Sequence, residues 1–126
     1  MKSAGSGIVA GALLIGAFAI VRPAVAPIAA SAASDGASIY SAKCSSCHKA
    51  DGKGGGPFPA LAGAADVTAK DPTAIITETL KGKGLMPGFK SSLSNADIAA
   101  VLSYVRSSWG NKASAVTEAQ VAGLNK

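Results

Sequence analysis

The chain has 126 residues, of which 48% are hydrophobic, 5% aromatic and 15% charged, with a formal net charge of +5. That length allows one domain, and two cysteines with one histidine exclude both a multi-bridge disulfide framework and a four-ligand zinc site of Cys and His. The basicity is mild: from Ser34 onward ten Lys/Arg stand against seven Asp/Glu, and no dense basic run is interleaved with aromatics, which argues against nucleic-acid binding.

Residues 1–33 differ in kind from the rest. Lys2 precedes an apolar run of 14 residues, Ile8 to Val21. This is the length of a secretory h-region and short of the roughly 20 residues needed to span a bilayer. Ala30-Ser31-Ala32 supplies a small-residue cleavage site, so the segment reads as a signal peptide with a mature chain beginning at Ala33. Arg22 lies between the run and that site, and the stretch to Ala32 is long for a processing region, so a retained membrane anchor through residues 8–21 is the competing reading. Both put the remaining domain, 34–126, on the outer side of a membrane, that is, in the periplasm.

The domain is small for a self-sufficient core, and much of its apolar content is alanine, so a cofactor is a natural support for it. The pattern predicts a first helix over about Asp35 to Cys47, with Ser34 or Asp35 as N-cap. Gly52 to Gly63 is a Gly/Pro-rich loop that cannot be regular structure. A second helix follows Asp71-Pro72, read as N-cap and first helical residue, with Ile75, Ile76 and Leu80 apolar and Gly82 ending it. Ser94 and Asp97 form a capping-box-like start to a third helix, in which Ile98, Val101, Leu102, Val105 and Trp109 share a face and Gly110-Asn111 stops the run. A fourth, short helix starts at Thr117 with Gln120 three residues on, burying Val121 and Leu124. The fold class is all-α, short helices and long loops, with a core over 36–111 and a tail helix over 117–125. Loops this long in so small a domain need something in the middle to wrap around.

Cys44-Ser45-Ser46-Cys47-His48 is a C-x-x-C-H motif, the attachment pattern for c-type haem. Thiols three apart lie one helical turn apart and can meet the two vinyl groups of one porphyrin edge, while the next residue aims its imidazole at the iron. A redox-active C-x-x-C would want a thioredoxin-like βαβ context, and no strand alternation is visible. Binding of another metal and a chance match are the remaining alternatives. With no second histidine, bis-His ligation within the chain is impossible. The only methionine after the leading segment is Met86, in Gly84-Leu85-Met86-Pro87-Gly88-Phe89, 38 residues beyond His48. A rigid non-helical loop suits it to present a thioether to the opposite face of the haem; filling an apolar gap is the plainer role for such a side chain. His/Met ligation raises the reduction potential and fills both axial positions, favouring electron transfer over catalysis.

With these residues in place, the chain resembles class I (mitochondrial-like) monohaem cytochromes c over about Gly36 to Asn111. The matching features are Gly36 and Tyr40 ahead of the motif, the loop ending Pro59-Ala60-Leu61, Met86-Pro87, and a last helix with Tyr104 and Trp109. The resemblance implies a class I cytochrome c fold around one haem c held covalently by Cys44 and Cys47. It also implies crossed first and last helices, Gly36 and Tyr40 meeting Val101 and Tyr104. A proline carbonyl, from Pro59 or the nearby Pro57, would accept the second N–H of His48, and Leu61 would pack on the haem. Met86 to Asn111 is similar to cytochrome modules serving bacterial dehydrogenases and terminal reductases. The implied function is a non-enzymatic single-electron carrier between redox partner proteins: a donor dehydrogenase or membrane complex and an acceptor oxidase or reductase. A haem subunit of such a complex is the alternative, and a haem enzyme or gas sensor with an exchangeable sixth ligand is a third reading. Lys43, Lys49, Lys53, Lys81, Lys83 and Lys90 would either steer acidic partners to the haem edge or form an ordinary solvated surface.

Overall fold

The computed structural model describes residues 34–126 and, ahead of them, only the isolated positions Gly11, Gly16 and Ala19. The leader and anchor readings of residues 1–33 therefore lie outside the described residues. Six helices and one two-stranded hairpin follow: α1 (Gly36–Lys43), α2 (Ser45–His48), α3 (Ala65–Thr68), α4 (Thr73–Lys81), β1 (Gly82–Lys83), β2 (Met86–Pro87), α5 (Asn95–Ser107) and α6 (Glu118–Leu124). No helix among the described residues is long and apolar enough to cross a membrane.

α5 is the spine. The Ser94 hydroxyl accepts from the Asp97 N–H at 3.0 Å and the Asp97 carboxylate accepts from the Ser94 N–H at 3.4 Å, a complete capping box. Ile98, Val101, Leu102 and Val105 all turn into the core. Trp109 does not continue that face. α5 ends at Ser107, and Trp109 takes a left-handed backbone, φ 53°, in the turn beyond it. α1 crosses α5 with its first residue, Gly36, against the α5 backbone: a Cβ there would stand 2.3 Å from the Ala100 carbonyl oxygen and 3.0 Å from the Tyr104 Cβ. The crossing thus uses Ala100 and Tyr104; the expected Val101 faces inward instead, because it lies one residue round the helix.

The first helical stretch is not continuous. It breaks at Cys44 (φ −118°, ψ −36°), which separates α1 from the single turn α2. α4 starts one residue later than the Pro-at-first-position reading: Pro72 is the N-cap, and Asp71 accepts from the Thr73 N–H (2.9 Å) and Thr73 hydroxyl (2.6 Å). Gly82 ends α4 with φ +82° and starts the hairpin, pairing Gly82 with Pro87 and Lys83 with Met86. Gly88 lies so close to α4 that a Cβ would come within 2.7 Å of the Leu80 carbonyl oxygen. α6 opens with a second capping box, Thr117 with Gln120. It packs on α5 and α4 through Val121, which is fully buried, whereas Leu124 is only half-buried. The fold is all-α as expected, with α1 and α5 crossed, and the hairpin and α3 are additions too short to show in the sequence pattern.

Candidate functional site

α2 brings the chemistry together. The Cys47 and His48 N–H groups donate to the Cys44 carbonyl (3.2 and 2.9 Å), so both thiols and the imidazole project from one turn. Lys49 stops that turn with φ 66°, and its carbonyl accepts from the Tyr40 hydroxyl at 2.7 Å. The Tyr40 ring is buried against Tyr104 and Trp109, with centroids 5.5 and 5.0 Å away. Burial, and secondarily the nearby Cys44, pushes its phenol up to about 12, so it remains a donor at any physiological pH. The two cysteines form no disulfide with each other. Burial and the neighbouring Cys47 push the Cys44 thiol up to about 11. This is the opposite of the lowered thiol that makes a C-x-x-C pair a redox catalyst.

The loop after α2 folds back over His48. The Gly54 N–H donates to the His48 carbonyl (2.9 Å), and the Leu61 and Ala62 N–H groups both donate to the Gly52 carbonyl (2.6 and 3.0 Å). Gly52 has φ +67° and lies flat on Trp109, where a Cβ would meet the indole at 2.4 Å. The result is the decisive contact of the site: the Pro59 carbonyl oxygen lies 2.9 Å from His48 Nδ1. A carbonyl only accepts, so Nδ1 carries the proton and Nε2 keeps its lone pair. Pro57 lines the same cavity but makes no such bond.

Asn111 and Trp109 hold this loop, and the sequence reading missed Asn111's part in it. Asn111 is buried; its Oδ1 accepts from the Gly63 N–H (2.8 Å) and its Nδ2 donates to the carbonyls of Leu61 (3.2 Å) and Val105 (2.9 Å). Trp109 Nε1 donates to the Ala50 carbonyl at 3.0 Å. Asn111 read as part of the helix stop and Trp109 as the end of the apolar α5 face; a buried amide bridging positions 48 to 50 residues apart leaves no local signal.

Cys44, Cys47, His48, Pro59, Leu61 and Met86 all line one cavity of about 440 Å³. Ile75, Val101, Leu102 and Val105 complete an apolar wall, and the hairpin carries Met86 to it. Among the described residues no three His, Cys, Asp or Glu side chains converge to hold a bare metal ion. The donor set is instead one imidazole, one thioether and two thiols in an apolar cleft of the size that takes a cofactor. That fits a flat apolar macrocycle that brings its own iron, with the thiols as anchors. A second cleft of about 280 Å³, between the start of α4 and α6, contains none of these residues.

The lysines do not form an unbroken basic ring. Lys43 and Lys83 line the cavity, but so do Asp66 and Glu78, and Lys83 pairs with Glu78 at 2.5 Å. Lys90 donates to the Lys126 carbonyl at 2.6 Å, and Lys49, Lys53 and Lys81 are exposed away from the lining.

Comparison with known proteins bears on this site. Residues 31–105 match the family model described as cytochrome C oxidase, cbb3-type, subunit III. The cytochrome c subunit of a quinone alcohol dehydrogenase from Gluconacetobacter polyoxogenes is 39% identical over 102 residues, covering 71% of this chain and 22% of that subunit. Cytochrome c6 from Microcystis aeruginosa is 45% identical over 80 residues, covering 56% of this chain and 90% of that protein. Among solved structures, the KustC0563 c-type cytochrome aligns with a TM-score of 0.49 at 28% identity, over 58% of this chain and 95% of that one. The chain thus spans about a fifth of the dehydrogenase subunit but nearly all of the small cytochrome.

Proposed function

The chain belongs to the cytochrome c family and its cofactor is covalent haem c; from that premise we propose that it is a periplasmic carrier of single electrons. The bound haem supplies the one-electron couple at its iron. The protein's own residues do the rest. Cys44 and Cys47 hold the macrocycle through two thioethers. His48 Nε2 would bind the iron, its ring oriented by the Pro59 carbonyl at the other nitrogen. Met86 would supply the second iron ligand, and Leu61 with the apolar wall would lie against the ring and exclude water; all of them line the one cavity.

The Nδ1-to-Pro59 contact carries this reading. It turns a histidine that could be a core residue into an imidazole with one committed and one available nitrogen, beside two thiols in an apolar cleft. With His48 and Met86 both holding the iron there would be no open position for a substrate, which favours electron exchange over catalysis. The test is Met86→Ala in the haem-loaded protein. The reduction potential is expected to fall, and carbon monoxide, excluded from the reduced parent, is expected to bind the variant. An unchanged spectrum and potential would remove Met86 from the iron.

The similarity to a dehydrogenase cytochrome subunit supports a second reading, in which the domain works inside a larger redox complex and relays electrons from a catalytic partner. In either case residues 1–33 export the domain, by a signal cleaved after Ala32 or by an anchor kept at residues 8–21. A cleaved species free in the periplasmic extract supports the carrier; stable co-purification with a dehydrogenase or reductase supports the subunit.

A further inference from the structure

Among the described residues, Arg106 is the largest side chain with no exposure at all. Every acceptor around it is neutral. Nε donates to the Ser114 carbonyl (2.7 Å), Nη1 to the carbonyls of Val67 (2.8 Å) and Ala69 (2.9 Å), and Nη2 reaches the Ser114 hydroxyl at 3.4 Å. No carboxylate joins them; among the described residues the single ion pair is Lys83 with Glu78. A guanidinium is permanently charged, and burying one without a counter-ion is costly even when its hydrogen bonds are made. The fold nevertheless keeps this charge directly behind the cavity wall. Val105, the preceding residue, lines the cavity, and so does Val67, whose carbonyl Arg106 holds.

We infer that Arg106 tunes the site: its uncompensated buried charge favours the electron-richer state of the bound haem and raises its reduction potential. The inference rests on the haem-carrier reading. In general, a unit charge about 12 Å from a redox centre, acting through an effective dielectric of about 20, shifts a one-electron equilibrium about tenfold. Burial shields this charge from the counter-ions that weaken surface lysines, so its effect persists at high salt. A purely structural clasp would also bind α5 to the end of α3 and to Ser114, but it would not require a charge.

The test is a redox titration of the full-length, haem-loaded protein and its variants. Arg106→Met removes the charge; the equilibrium constant for reduction is expected to fall about tenfold, about 59 mV for one electron. Arg106→Lys keeps the charge while losing the fork and is expected to remain near the parent, though less stable. A loaded Arg106→Met protein within twofold of the parent overturns the inference, as does an Arg106→Lys protein that falls equally far. If Arg106→Met does not fold, Ser114→Asp against Ser114→Asn decides. The exposed Ser114 lets a carboxylate approach Nη2 while every arginine donor stays in place. Ser114→Asp is expected to lower the equilibrium constant two- to threefold relative to Ser114→Asn, and equal values overturn the inference. Absence of attached haem in the parent would refute the carrier reading itself; a loaded parent with potentials indifferent to these changes refutes only the role of Arg106.

Discussion

Gly36→Ala is the smallest change that tests how the site is supported. The Cβ it adds would stand 2.3 Å from the Ala100 carbonyl oxygen, where real Cβ contacts essentially never come under 3.0 Å. The obstacle is therefore at least 0.7 Å deep, and it is α5 backbone rather than the movable end of a side chain. α1 and α5 form the most extensive helix–helix packing in the structure, so the strain falls on the main joint. Overpacking of this kind costs about 1–3 kcal/mol. The usual helix gain of alanine over glycine is small here, because Gly36 is the first residue of α1. For a domain of this size, 1 kcal/mol moves the melting temperature by about 4–8 °C, so a drop of about 5–20 °C is expected. The assay is thermal unfolding of the haem-loaded protein by circular dichroism, with the exposed Ser38→Ala as a control that leaves the transition in place. Parting α1 from α5 also loosens Tyr40, whose hydroxyl holds the Lys49 carbonyl beside His48. An unchanged melting temperature in Gly36→Ala would refute the close crossing.

Asn111→Ala removes three hydrogen bonds, leaving the Leu61 and Val105 carbonyls with only their long 3.4 Å bonds from the Ala64 and Ser108 N–H groups, so a loss of roughly 2–4 kcal/mol is expected by denaturant titration. A loss under about 0.5 kcal/mol would mean that water or another donor replaces the amide at little cost. Tyr40 gives a pH signature. Its pKa is raised from 10.0 to about 12 in the folded protein, so the native state favours the neutral phenol. The stability this contributes is fully present below pH 10 and is lost as the pH rises through about 12. Tyr40→Phe should be less stable by roughly 1 kcal/mol at neutral pH, from the lost bond to Lys49, and should show a shallower alkaline decline than the parent. Parallel alkaline limbs in the two proteins would remove Tyr40 as the titrating group.

What the sequence made legible was what is written locally. C-x-x-C-H, the Ser94–Asp97 and Thr117–Gln120 boxes and the apolar face of α5 each need only neighbours three or four residues away; both boxes appear as read, and so does the face from Ile98 to Val105. The failures share a cause. α3 has four residues and each hairpin strand two, too few for a period to emerge. The break at Cys44 follows no composition cue, since Ser, Ala and Lys around it would all tolerate a longer helix. Trp109 has the right spacing for the α5 face, but its indole is drawn instead to Gly52 and the Ala50 carbonyl. Arg106 reads as an ordinary helical cation; only the folded chain shows the carbonyls of Val67 and Ala69, 39 and 37 residues earlier, closing on it. Similarly, Pro57 and Pro59 are equivalent by position, and the loop's bonds to Gly52 and Gly54 decide which carbonyl reaches His48.

The central claim, one haem held by two thioethers at Cys44 and Cys47, is tested most directly by the intact mass of the exported protein after unfolding and extraction in acidified organic solvent. The account predicts a polypeptide heavier by one haem, with neither thiol open to alkylation. A bare polypeptide mass, with both cysteines alkylated, would contradict it.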